Sequence, residues 1–586
     1  MNRGIECGKY LRAVLAIAVL ASMPFGAAVR GQAPHRDALP AALQKTEVKA
    51  AKRPRLVVLL VVDQMRADYV DKFAGQWHGG LKRLVEQGAW FHDAAYPYAA
   101  TETCPGHATI STGAFPATHG MVGNGWWDRD AGKMITCTAD PKTKNLGYAG
   151  ATASDGDSAW RMQVPAFADE LKFQSGGPTK VVALSLKARA AITMGGRTAD
   201  DVAWFETSTG AWVTSEVYGV HPWVDEYFKS HPAKADYGKT WTLTLPKTAY
   251  LYEEDAVGVG PPSGWERTLP HPLRGKTGNG DPDKDFYTQW QTSPFADSYL
   301  VKLGEAAVRS LHPANGSETD FLAISFSSID HIGHAFGPRS WEIQDALVQL
   351  DRDLGDFFSV LDKEVGRGNY VVAFSGDHGV APIPEDVTKA GGDAGWLNMA
   401  EVQTRIESAL KPLNYPKPAV AKAAGDEIYF AKGVYDQLKG DPKAMAAVLD
   451  AIQNVPGVLR VYRAEEVDDP QATEDPIRKA FAASYFAGRS GDLLVAPKAY
   501  WPVGYAVPGK ERAGGTTHGT PYYYDQRVPL LLMGWGIRPG SYYRAVTPAD
   551  IAPTLAELCG ITLATRDGQV LAEALQPKGN GISTTR

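Results

Sequence analysis

A chain of 586 residues with a formal charge of −6 and no sustained basic stripe argues against a surface built to hold nucleic acid. Apolar residues at 44% and charged residues at 22% are the ordinary balance of a soluble globular protein, not of a disordered chain. The length exceeds what one simple core accommodates, so the chain is either several domains or one large sheet carrying insertions.

The first segment reads as a targeting sequence. Arg3, Lys9 and Arg12 precede an apolar stretch at 13–21, and Pro24, Gly26, Ala27 and Ala28 follow. That is the three-part layout of a secretory signal, with an apolar core too short to span a bilayer. Residues 1–33 are therefore expected to be signal and the start of a polar tether, with cleavage near Ala28 or Ala33; an uncleaved anchor is the alternative. After cleavage no stable membrane insertion is expected.

Beyond the tether, an apolar β-branched run at 56–62 reads as a buried parallel strand ending at Asp63. Residues 79–87 are helical, a Gly-rich aromatic region covers 101–127 with a helix-like run at 107–111, and 180–186 is another strand. Together 54–199 form the first part of a core. Between 200 and 294 the texture changes to Trp, Tyr, Pro and Gly with little helical period, the signature of an insertion over a sheet edge. The core resumes over 295–380 with a helix at 295–311, a strand at 321–329 ending at Asp330, a long amphipathic helix at 341–361, and a strand at 371–376 ending at Asp377. Residues 381–510 hold a strand at 428–430, a helix at 442–453 and a strand at 457–462, in keeping with a small inserted α/β subdomain. The final core part, 511–575, has a glycine-rich loop at 514–519 and a buried strand at 528–533. Its helix is capped by Thr547, has Pro548 at its first position, and is closed by Gly560.

Three strands thus run into acids, and two of the acids are followed at once by histidine, in Asp330-His331-Ile332-Gly333-His334 and Asp377-His378. Ligands gather outside the carboxyl ends of strands in open α/β sheets. Carboxylate and imidazole together suit a borderline divalent cation such as zinc. With His518, in Gly514-Gly515-Thr516-Thr517-His518-Gly519-Thr520, the candidates Asp63, Asp330, His334, Asp377 and His378 number six. That is too many for one tetrahedral ion and suited to two sharing a substrate. Singly each has a plainer role, as a turn or cap residue or a solvated histidine.

Asp63-Gln64-Met65-Arg66, Thr103-Cys104-Pro105-Gly106-His107, Ser375-Gly376-Asp377-His378-Gly379 and Thr517-His518-Gly519 resemble, in order over nearly the whole mature chain, the alkaline phosphatase superfamily. The resemblance implies an alkaline-phosphatase-like α/β core, a mostly parallel sheet with helices on both faces, carrying the two insertions. It also implies two zinc ions, one held by Asp330, His334 and His518 and the other by Asp63, Asp377, His378 and the nucleophile Thr103. A sulfatase is disfavoured because Cys104 is followed directly by Pro105 with no arginine after it. Asn124 and the pair Lys187-Ala188-Arg189 resemble the phosphate contacts of a bacterial zinc alkaline phosphatase subgroup. Cations there favour a dianionic monoester over a singly charged diester.

Read from the residues alone, Thr103 could equally cap a helix, with Thr101 and Thr109 as competitors. Lys187 and Arg189 could end an exposed strand, and Asn124 could be a turn residue between glycines. The expected function is an exported, bacterial, periplasmic phosphatase acting on small phosphate monoesters through a phosphothreonine. A nucleotide pyrophosphatase/phosphodiesterase is the enzyme alternative, and a non-catalytic exported zinc- or phosphate-binding protein the alternative of another class.

Other motifs do not complete. Gly275-Lys276-Thr277 lacks the upstream glycine of a P-loop, and Gly258-Val259-Gly260 runs into Pro261-Pro262. Asp281-Pro282-Asp283-Lys284-Asp285 starts like a calcium loop without its central glycine or terminal glutamate. Cys7 lies in the signal; of the rest, Cys104 with Cys137 is the favoured pair, and three thiols including Cys559 the alternative.

Overall fold

The computed structural model describes residues 53–577 apart from 154, 277, 279, 314–317, 469–472 and 505–513, so the signal and tether expected before residue 53 lie outside the described residues. Its centre is a ten-stranded sheet. Numbered along the chain, the strands are β1 (Leu56–Val62), β2 (Ala89–Phe91), β3 (Asn145–Gly147), β4 (Val181–Ser185), β5 (Asp201–Glu206), β6 (Ala211–Ser215), β7 (Asp320–Phe326), β8 (Tyr370–Ser375), β9 (Leu530–Gly534) and β10 (Gly540–Tyr542). Their spatial order is β10-β2-β9-β8-β1-β7-β4-β5-β6-β3. The central strands β8, β1, β7, β4 and β5 are parallel to one another, and β9 joins antiparallel to β8.

β1 shows why this sheet is two-sided. All seven of its residues are buried. Leu56, Val58, Leu60 and Val62 face one core with the helices Gly80–Gln87, Pro294–Leu311 and Trp341–Leu361. Val57, Leu59 and Val61 face the other, with Thr103–Thr112, Phe167–Gln174, Ala188–Gly195 and Ile551–Cys559. Alternation at period two delivers apolar side chains to both faces, each worth about 1.5–3 kcal/mol when fully buried.

Two readings change. The apolar run at 321–329 is not one strand: β7 stops at Phe326, and a helix, Ser328–Phe336, begins before Asp330. Asp297 Oδ1 accepts the Ser328 N–H at 3.1 Å, satisfying one of the donors that a helix start leaves open. The aromatic-rich region beginning at residue 200 contributes β5 and β6 to the central sheet before its Trp241, Trp265 and Trp290 pack on the first core. Residues Val420–Ala424, Glu427–Phe430, Val458–Arg463 and Leu493–Pro497 build a separate four-stranded antiparallel sheet, with Met399–Leu410 and Pro442–Gln453 sharing its core.

Candidate active site

Strand register sets the carboxylates. Val61 of β1 lies opposite Ser375 of β8, so Asp63 and Asp377, each two residues on, leave the sheet at the same height. Both are fully buried. Asp330 comes instead from the helix Ser328–Phe336, with His334 one turn on, the spacing that puts both on one face. Their Oδ1 and Nε2 are 3.2 Å apart. Gly333 has no room for a side chain, since a Cβ there would stand 1.8 Å from Gln64 Oε1. His518 arrives on a loop whose Gly515, at φ +83°, packs against His334 so closely that a Cβ would meet the His334 carbonyl oxygen at 2.0 Å.

The imidazoles are all oriented the same way. His334 Nδ1 lies 2.8 Å from the Thr516 carbonyl, His378 Nδ1 2.9 Å from that of Gly379, and His518 Nδ1 2.8 Å from that of Thr101. A carbonyl can only accept, so each Nδ1 carries a proton; Nε2 of His378 and His518 then presents a lone pair, whereas His334 Nε2 faces the Asp330 carboxylate. His378 Nε2 is 3.4 Å from Asp63 Oδ1 and 3.3 Å from Asp377 Oδ2. Among the described residues these three buried atoms have no hydrogen-bond partner, although His107 Nδ1 lies 3.2 Å from Asp377 Oδ2. Three acceptors facing one another are stable only around a cation, and this donor set fits a divalent metal ion. A second group, Asp330, His378 and His518, brings its ligand atoms within 4.8 Å of one another, as the first does. His378 belongs to both and stacks on His518 at 3.6 Å between ring centroids. His334 adjoins the second group through Asp330.

Thr103 is the first residue of the helix Thr103–Thr112, and Glu102 holds the cap position, so Thr103 does not serve as the cap. Gly106 lets this helix touch the Asp377 segment, where a Cβ would lie 2.2 Å from the Asp377 carbonyl oxygen. The Thr101 hydroxyl donates to the Thr520 carbonyl, and that of Thr109 bonds Tyr98 and His119, so both competitors are engaged elsewhere. Arg189 Nη2 is 3.4 Å from Thr103 Oγ1, a long hydrogen bond, and Arg189 Nε has no partner among the described residues. Lys187 is buried, not an exposed strand end, with Nζ 2.5 Å from both Asp63 Oδ2 and Asp330 Oδ2. Its ammonium thus joins the two carboxylate groups. Asn124 Oδ1 accepts the Cys104 N–H at 2.9 Å.

Three supporting residues carry no assignment from sequence. Gln64, at φ +65°, donates its N–H to Asp377 Oδ1 at 2.9 Å and its Nε2 to Asp330 Oδ1 at 2.7 Å. His107 places Nδ1 2.9 Å from the Thr103 carbonyl and 3.2 Å from Asp377 Oδ2, with Nε2 2.8 Å from Ser325 Oγ. Glu102 accepts the Asn124 N–H. The available signals were adjacency for Gln64 and, for His107, a place one helical turn after Thr103.

Charge follows from packing. Burial, then Asp330 and Asp377, raise the Asp63 carboxyl against the pull of Lys187. Burial would also raise Asp330, but His334, Lys187 and His518 outweigh it and hold that carboxyl well below its usual range. Burial lowers His378 and His518, favouring the neutral form that binds metal, whereas Asp330 raises His334 despite burial.

Among the described residues the two groups above are those able to hold a metal. The acidic turn at 281–285 forms no such group; Asp283 instead caps the helix Lys284–Gln291 by accepting the Phe286 N–H. Cys104 and Cys137 form a disulfide, and Cys559 is a buried thiol pushed up to about 12 by that burial.

A mostly parallel α/β sheet with paired carboxylate–imidazole groups at its carboxyl edge defines a metal-dependent hydrolase of the kind that acts on phosphoesters. The chain belongs to the type I phosphodiesterase / nucleotide pyrophosphatase family, whose model matches residues 57–521. Alkaline phosphatase PafA of Elizabethkingia meningoseptica is 32% identical over 88% of this chain and 93% of its own. Alkaline phosphatase PhoV of Synechococcus elongatus is 30% identical over 87% and 90%. The crystal structure of PafA superposes with a TM-score of 0.79 at 30% identity, covering 89% of this chain and 99% of that one. PafA has also been crystallised as a variant altered at a threonine, an asparagine, a lysine and an arginine, the last two separated by one residue.

Proposed function

We propose that this chain is an exported alkaline phosphatase that hydrolyses phosphate monoesters to inorganic phosphate through a phosphothreonine at Thr103, with two zinc ions. Asp330, His334 and His518 would hold one ion, and Asp63, Asp377, His378 and the Thr103 hydroxyl the other. Zinc, when bound, lowers the pKa of a hydroxyl beside it and neutralises charge on a transferring phosphoryl group. The Thr103 oxygen forms a bond to phosphorus as the ester oxygen departs. Water then breaks the phosphothreonine bond, releasing phosphate and restoring the hydroxyl. Arg189, beside that hydroxyl, pairs with nonbridging oxygens, Lys187 adds a buried point charge, and the Asn124 amide donates its N–H groups. His107 fixes the first turn of the helix through the Thr103 carbonyl.

The observation that carries this reading is a threonine hydroxyl within reach of an arginine at the edge of two donor groups that share one histidine. A protein that only stores metal needs neither Thr103 nor Arg189. The four residue types altered in the PafA variant recur here as Thr103, Asn124, Lys187 and Arg189, with the same one-residue gap in Lys-Ala-Arg. The residues at 1–33 support export, and no helix among the described residues is long and apolar enough to cross a membrane; amino-terminal sequencing of the periplasmic protein checks the cleavage.

Rates on a phosphate monoester and on its methyl diester test the substrate class. Lys187→Ala or Arg189→Ala is expected to damage monoester turnover far more than diester turnover. Equal losses would favour the phosphodiesterase alternative.

A further inference from the structure

Asn124 is held from three directions, and each contact leads to the first turn of the Thr103 helix. Its N–H donates to Glu102 Oε2 at 2.7 Å, and its carbonyl accepts the Cys137 N–H at 3.0 Å. Its side-chain Oδ1 accepts the Cys104 N–H at 2.9 Å. The disulfide then joins Cys137 to Cys104, the residue directly after Thr103, with Cα atoms 6.8 Å apart. Because Oδ1 must face a donor, the amide cannot flip, and the NH₂ end is the one left to meet an anion. Asn124 stands at the base of a two-stranded hairpin, Gly125–Asp128 with Lys133–Thr136, a unit that is marginal unless anchored.

Glu102 makes the arrangement informative. A half-buried carboxylate one residue from a site for phosphate would oppose anion binding, so its retention there needs another reason. Among the described residues the Glu102 carboxylate accepts from the Asn124 backbone N–H, not from any metal group.

We infer that Glu102 and the Cys104–Cys137 disulfide are positioning groups that lock Asn124 against Thr103, so that the phosphate-binding power of Asn124 depends on a covalent staple one residue from the attacking hydroxyl. The inference rests on the phosphatase reading above, through the role given there to Asn124. It adds residues that touch neither substrate nor metal. The hairpin is held from the far side as well: Arg129 reaches the Ser490 carbonyl and Asp492, and Arg489 reaches the Gly120 carbonyl and lies over Trp126. Removing the staple should therefore loosen Asn124 without unfolding the chain.

The test is inorganic phosphate binding by calorimetry to the zinc-loaded full chain, comparing wild type, Asn124→Ala, the double variant Cys104→Ala/Cys137→Ala, and the triple variant. Loss of a hydrogen bond to a charged group predicts about tenfold weaker binding for Asn124→Ala and for the double variant. The triple variant should bind no more weakly than Asn124→Ala alone. Independent, multiplying losses, or wild-type affinity in the double variant, would overturn the inference. Should the cysteine variant fail to fold, Glu102→Ala and Glu102→Gln carry the same comparison: Glu102→Gln keeps an acceptor for the Asn124 N–H and should recover most of the affinity that Glu102→Ala loses. Equal losses in those two would also overturn it. A wild-type chain that binds no phosphate and cleaves no ester would sink the phosphatase reading itself, whereas turnover with additive losses sinks the staple alone.

Discussion

The two donor groups of this site share His378 but differ in their access to water. Asp63, Asp377 and His378 are sealed, with no exposed surface. Across the shared ring, Asp330 and His518 leave only 4% and 7% of their side chains exposed, and the opening to water comes at the adjoining His334, with 35% exposed. The sealed group is braced from outside by His107, Gln64 and the Asp377 backbone, and Thr103 rises beside it on a helix that touches that backbone. The other group is braced chiefly through the Thr516 and Thr101 carbonyls and through Lys187. Under the proposed function, attack would start from the sealed side and the ester oxygen would depart toward the side opened at His334.

The largest effect is expected on the sealed side. Thr103→Ala should lower monoester turnover on the order of a thousandfold or more while metal analysis still finds the wild-type content. Next come Lys187→Met and Arg189→Ala, at roughly a hundred- to a thousandfold in kcat, the scale for removing one preorganised donor from a transferring group. Lys187→Met has a second readout. In metal-free protein it leaves Asp63 and Asp330 without their common counter-charge, so its melting temperature should fall below wild type and recover on zinc loading. An unchanged metal-free melting temperature would show that this ammonium does not hold the two groups together.

Smaller effects separate the groups from each other. His107→Ala or Gln64→Ala should weaken metal retention about ten- to a hundredfold, the range for partners that orient ligands, with the sealed group emptied first under chelator. The open group should instead show pH dependence. The folded His334 imidazole has its pKa raised by Asp330, so in metal-free protein its contribution to stability is fully present below the unfolded value of about 6.5. That contribution is lost as pH rises through the folded value. The melting-temperature gap between metal-free wild type and His334→Ala should therefore narrow from pH 6 to pH 9; a constant gap would remove His334 from that charge pairing. Under the proposed function a metal ion held by His334 would have to displace that proton, so activity should fall at acid pH.

Much of this was legible in the residues because two periodicities dominate. Continuous β-branched runs announced β1 and β8, and their terminal acids announced Asp63 and Asp377. The amphipathic stretch at Trp341–Leu361 appeared with the bounds the sequence suggested. Asp330 was legible as a ligand candidate but misplaced, because Ser327-Ser328 interrupts an apolar run whose composition does not change, and only the bond from Ser328 to Asp297 marks the helix start. Gln64 and His107 had only their places beside Asp63 and one turn after Thr103 to mark them, because their bonds to Asp330 and Asp377 cross hundreds of residues, and the bond of Glu102 to Asn124 left no local pattern at all. The same holds for Lys187, which the family resemblance placed at the phosphate but which nothing in the sequence placed between Asp63 and Asp330.

The most direct test traps the reaction on the chain. Zinc-loaded enzyme mixed with a phosphate monoester, quenched in acid within one turnover and digested for mass spectrometry, should carry phosphate on the Thr103 peptide and on no other. Turnover at the wild-type rate with Thr103 unmodified, or with the phosphoryl group on another residue, would contradict the assignment of that hydroxyl as the attacking group.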